Sequence, residues 1–166
     1  MTTLLRALVA MSVTLTAFAA LPAMAQNSTQ IAQVKAGASC PRCNLFQADL
    51  TGLEKNGLNL SGSRLRQADL TLAVMNRTQL SGADLRDINA YGAVLASSNL
   101  SGADLSNASL VGAWLQGINW SGAKLEGANL AGSDLSRARN LTQQQLSRAC
   151  GDASTRLPIN LTIPTC

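Results

Sequence analysis

Along most of this chain an apolar residue returns at every fifth position, a spacing that few folds can use. From 41 to 140 the positions divisible by five read Leu45, Leu50, Lys55, Leu60, Leu65, Leu70, Met75, Leu80, Leu85, Ala90, Leu95, Leu100, Leu105, Leu110, Leu115, Trp120, Leu125, Leu130, Leu135 and Asn140. Sixteen of the twenty are Leu or Met. An α-helix repeats at about 3.6 residues and a strand at 2, so a period of five belongs to neither. A second, smaller series stands two residues before the first: Ala48, Ala68, Ala73, Ala83, Ala93, Ala103, Ala108, Ala113, Ala123 and Ala128. A polar residue, typically Asp or Asn, separates the two series, and Gly is common two residues after the leucine.

This A-(D/N)-L-x-G pattern, unbroken over about 100 residues, resembles the pentapeptide-repeat family. The resemblance implies an all-β fold, a right-handed quadrilateral β-helix. Four pentapeptides then form one square coil, with the leucine and the small residue facing inward. Local physics agrees. Two inward residues flanking one outward residue make a short extended segment, and the other two turn a corner where glycine is favoured. Twenty units would make about five coils, a rod about 24 Å long at the spacing of neighbouring strands.

Reading at intervals of twenty tests the register. One inward column is Leu45, Leu65, Leu85, Leu105, Leu125, and the next is Leu50, Leu70, Ala90, Leu110, Leu130. Where Ala90 leaves space, its inward partner is Ile88 in place of the usual Ala, so volume is roughly kept. Lys55 breaks the register, and Leu53 or Leu58 is expected to take the inward place in a loosened first coil. Outside, Asn59, Gln79, Asn99 and Asn119 should stack as an amide ladder. Asp84 and Asp104 should lie next to each other, their repulsion offset by the flanking Arg64 and Lys124.

The segments outside the register define the ends. Residues 1–25 combine a short basic start, MTTLLR, a mostly apolar run, and Ala23-Met24-Ala25 as a small-x-small cleavage signal. This reads as a signal peptide cut before Gln26. The expected organisation is a leader at 1–25, an N-terminal linker or cap at 26–40, the solenoid at 41–140, and a C-terminal helix and disulfide-closed tail at 141–166. In LTQQQLSRAC, Thr142 is a candidate N-cap, with Leu141, Leu146 and Ala149 on a helical face. This helix-plus-loop ending resembles the C-terminal cap of exported pentapeptide proteins.

All four cysteines follow the leader, which favours disulfides in an exported protein. A bridge between Cys150 and Cys166 would close the tail and contribute about 3 kcal/mol. Cys40 and Cys43 stand in CPRC, for which three readings compete. A four-thiolate zinc site would need cysteines from opposite ends of the rod. A redox CxxC would want a thioredoxin-like βαβ pattern, which is missing. A local disulfide in the N-terminal cap is preferred.

Catalytic chemistry has little to work with. The chain contains no histidine, the commonest general base, and no glycine-rich phosphate cradle opens a helix. No enzyme activity, cofactor or metal is expected. The net charge of +4 is scattered, so no nucleic-acid partner is expected either. One branch of the family, the DNA-mimicking proteins that bind gyrase, needs an acidic surface that this basic chain lacks. The reading is an exported, non-catalytic structural or protein-interaction module, in periplasm or medium, with no membrane span in the mature chain. A CxxC thiol-redox protein is the alternative. The candidate interaction patch is an apolar outward column, Val74, Val94 and Trp114, with Leu72, Tyr91 and Val111 close by, suited to a protein partner or to self-association.

Overall fold

The computed structural model describes residues 26–166; the expected leader lies outside them. Between the ends the backbone repeats every twenty residues as four ladders of parallel β-bridges, one per side. Side 1 runs Asn44, Arg64, Asp84, Asp104, Lys124, and side 2 runs Asp49, Asp69, Asn89, Ser109, Asn129. Side 3 runs Glu54, Val74, Val94, Trp114, Asp134, and side 4 runs Asn59, Gln79, Asn99, Asn119, Arg139. The chain is therefore a solenoid. Each bridging residue serves a neighbouring coil through both backbone groups: Arg64 N–H donates to the Cys43 carbonyl and its own carbonyl accepts from Leu45 N–H, both at 2.8 Å. A side is too short to form a longer strand, so every contact is an isolated bridge.

The corners explain the fifth-residue period. The N–H of Ala48 donates to the carbonyl of Leu45 at 3.0 Å, and Gln47 between them has a φ of 52°. A positive φ at the third residue is what a type II turn requires. Glycine fills this place at most corners, for the reason expected, but Leu72 and Arg77 occupy it at φ values of 56° and 55°.

Apart from the irregular unit at Lys55 and the last one, where Asn140 is exposed, both inward series are buried in one continuous core, in which Leu45, Leu65, Leu105 and Leu125 are at most 1% exposed. Ala90 and Ile88 are both buried, as their compensating sizes demand. Serines in the small series bond to backbone instead of water. Ser63 Oγ donates to the Cys40 carbonyl at 3.0 Å, and Ser98 Oγ to that of Met75 at 3.2 Å. At the irregular unit, Leu58 is buried and Leu53 packs partly buried against the core. Lys55 stays half-buried, its aliphatic stem lying close against Gly37. The stem fills space while the amine reaches water.

The ends differ more from expectation. The segment read as a linker or cap contains helix α1 (Ser28–Lys35), N-capped by Asn27, whose side chain accepts from Gln30 N–H at 3.1 Å. Val34 of α1 is fully buried in the solenoid core, with Ile31 packed beside it. At the other end α2 (Gln143–Leu146) has the Thr142 N-cap, in a capping box with Gln145. Gln145 Nε2 also donates to the carbonyls of Trp120 and Ala123, both at 2.8 Å, satisfying acceptors at the open end. Leu146 and Ala149 are buried, and Leu141 is only partly so. After α2 the tail rejoins the ladders: Cys150 bridges Asn129, Arg156 bridges Asp134, and Thr165 bridges Gly151.

Candidate interaction surface

The four sides carry different chemistry. Side 1 is charged. Arg86 holds Asp84 through two bonds of 2.7 Å, and Lys124 lies 3.5 Å from Asp104. The Arg86 guanidinium keeps the Asp84 carboxyl below its usual range. Arg64 flanks Asp84 on the next rung and also lies over the Phe46 ring at 5.7 Å. Side 4 is an amide ladder in which Asn99 Nδ2 donates to Gln79, Asn119 to Asn99, and Asn140 to Asn119, at 3.2, 3.3 and 2.8 Å.

Side 3 is apolar through its middle. The fold sets Val74, Val94 and Trp114 on adjacent rungs of one ladder. Leu72 N–H donates to the Tyr91 carbonyl and Gly92 N–H to that of Val111, both at 2.9 Å, so the neighbouring corner adds its own apolar residues. Trp114, Tyr91 and Leu72 are 46%, 55% and 57% exposed, which makes this the place where large apolar side chains gather at the surface. Leu72 takes a left-handed corner that suits glycine. Its side chain lies so close over Gly92 that a Cβ there would meet it at 2.8 Å. The glycine provides the room for the leucine.

Charge borders this strip at both ends. Glu54 is exposed at one end, while Asp134 and Arg156 lie at the other, 3.8 Å apart. Burial opposes ionisation of Asp134, but bonds from Ser136 N–H at 2.9 Å, Ser136 Oγ at 2.7 Å and Gln116 Nε2 at 2.9 Å outweigh it, and its pKa is lowered. An open notch of about 340 Å³ beside Trp114 is lined by Gly112, Gly132, Asp134, Ser154 and Arg156. Glu54 and Asp134 stand in the twenty-residue count, whereas Arg156 joins the ladder only after α2 has broken it and was missed.

The cysteines pair within their own ends. Cys40 with Cys43 has a Cα separation of 5.6 Å and Cys150 with Cys166 one of 4.8 Å. Cys40 and Cys43 are each 5% exposed. Among the described residues no group of His, Cys, Asp and Glu is arranged to hold a metal ion, and no helix is long and apolar enough to cross a membrane.

The family model for pentapeptide repeats matches the chain in eight copies, over residues 56–89, 73–110, 91–117 and 103–139. The chain belongs to the pentapeptide repeat family. Among solved structures it is similar to a pentapeptide repeat protein from the thylakoid lumen of Arabidopsis thaliana, at 24% identity over 59% of this chain and 68% of that one, with a TM-score of 0.45. A pentapeptide repeat protein from the cyanobacterium Cyanothece 51142 matches at 27% identity, covering 78% and 97%, with a TM-score of 0.40. A trypsin-treated variant of QnrB1, described as a plasmid-mediated fluoroquinolone resistance protein, matches at 25% identity over 74% and 76%, with a TM-score of 0.47. No curated protein matches significantly.

Proposed function

We propose that this protein is an exported, non-catalytic interaction module, a right-handed solenoid of about five coils that docks a protein partner on side 3. The observation that carries this reading is the exposure of Trp114, Tyr91 and Leu72 on one side of a rod whose other sides are polar. A contiguous apolar patch with a charged rim is the usual signature of an association surface. Leader-like residues 1–25 and the two disulfides favour an oxidising destination, periplasm or medium. The near-complete burial of Cys40 and Cys43 favours a structural bond over a reactive thiol pair. The basic net charge speaks against mimicry of DNA at gyrase.

The test replaces Trp114 with Asp. The variant should stay folded with a somewhat lower melting temperature, since a half-buried ring is lost and a carboxylate is added beside Asp134, and should lose binding to the partner or to itself, read as mass by light scattering. An unfolded variant, or one that associates as the parent does, would contradict the reading.

A further inference from the structure

Resting on that reading of side 3, we infer that the partner is a second copy of this chain, paired upside down about a two-fold axis between Val94 and Trp114. The inference comes from the order of residues up the ladder: Glu54, Val74, Val94, Trp114, Asp134, Arg156. A two-fold axis lying in the plane of the interface and perpendicular to the column lays this column on its own inverse in the other copy. With the axis midway between Val94 and Trp114, Val94 of each copy meets Trp114 of the other. Glu54 of each meets Arg156 of the other, one ion pair at each end.

The neighbouring registers are worse. An axis through Val94 sets Glu54 against Asp134 twice, a like-charge contact. An axis through Trp114 sets Val74 on Arg156 and leaves Glu54 beyond the contact, so neither end forms an ion pair. The preferred register does place Val74 opposite Asp134, but that carboxylate already accepts from Ser136 and Gln116, and only 8% of its side chain is exposed. Little is left to desolvate. Arg156 has a side chain 74% exposed and only 3.8 Å from Asp134, so it can reach across while keeping its own carboxylate. The corner before side 3 also fits: Tyr91 of each copy would face Val111 of the other, and Leu72 would face Gly132. The strip is about 24 Å tall and one solenoid side wide. That is small beside the roughly 1,200–2,000 Å² of stable interfaces, so the dimer should be weak and reversible.

Sedimentation equilibrium of the purified protein, with both disulfides formed, tests this. The parent should pass from monomer to dimer with concentration. Glu54→Arg or Arg156→Glu alone should weaken the dimer by about tenfold or more, since attraction at both ends becomes repulsion. The double variant should restore it. Arg156→Glu also disturbs the contact with Asp134, so its melting temperature is recorded; Glu54→Arg lies at the far end of the column and is free of that complication. A parent that stays monomeric, or a double variant no better than the singles, overturns the inference. Trp114→Asp separates the two failures. If it abolishes dimerisation that the charge variants leave alone, side 3 associates but in another register. If neither changes the dimer, the reading of side 3 falls as well.

Discussion

Ile88 and Ala90 exchange sizes relative to the other units of their side, and exchanging them back should cost the fold little. Ile88 stands in the small series between Ala68 and Ala108, Ala90 in the large series between Leu70 and Leu110, and both are buried. Ile88→Ala removes three carbon groups at about 0.8 kcal/mol each and leaves a cavity, about 3–4 kcal/mol in all. Ala90→Leu in the parent forces a leucine against Ile88 and should destabilise by about 1–3 kcal/mol. Together the two substitutions recreate the Ala and Leu pair of the coils above and below. The double variant should fall within about 1.5 kcal/mol of the parent, a favourable coupling of several kcal/mol where independent sites would add. Urea unfolding with the disulfides intact reads all four proteins, and equal m-values would show that the denatured state is not the cause. A double variant destabilised by the sum of the singles would refute the claim that these two positions share one packing layer.

Three further outcomes are expected. Leu72→Gly should leave the melting temperature nearly unchanged, because relief of the left-handed leucine, about 1 kcal/mol, offsets the loss of its partial burial, also about 1 kcal/mol; association should still weaken. Removing the Cys150–Cys166 bridge, which spans a separation of 16 residues, should destabilise by up to about 3 kcal/mol, seen by comparing Cys150→Ser/Cys166→Ser with the parent under oxidising conditions. The Asp152 carboxyl, held at about 2 by bonds from Ser154 and the Gly132 N–H, has its pKa lowered from 3.8. Its stabilising effect is therefore full above pH 3.8 and lost as pH falls through about 2, so the stability gap between the parent and Asp152→Asn should close over that range, as acid titration of unfolding would show.

Where the five-residue count holds, the sequence is close to a drawing of the fold, because each unit has the same local task and only small or leucine-sized residues stack inside. The inward columns, the pairing of Ile88 with Ala90 and the amide ladder were legible for this reason, while the Thr142 cap was legible from capping chemistry ahead of a helical face. Helix α1 was harder to see because only Ile31 and Val34 mark its buried face, although Asn27 ahead of STQ was a usable capping signal. The salt bridge of Arg86 with Asp84 joins residues two apart in sequence, bent together at a corner that column arithmetic ignores. Beyond α2 the count itself fails: Cys150 follows Asn129 by 21 residues and Arg156 follows Asp134 by 22, so Arg156 at the end of side 3 could not be found by steps of twenty.

Iodide quenching of tryptophan fluorescence tests most directly that side 3 is an association surface between copies of this chain. Trp120 is fully buried and Trp114 is 46% exposed, so the two report separately. In dilute protein one emitter should be quenched and one should not; in concentrated protein the quenched emitter should become protected, and Glu54→Arg should delay that protection. Unchanged access to Trp114 at every concentration would contradict the account.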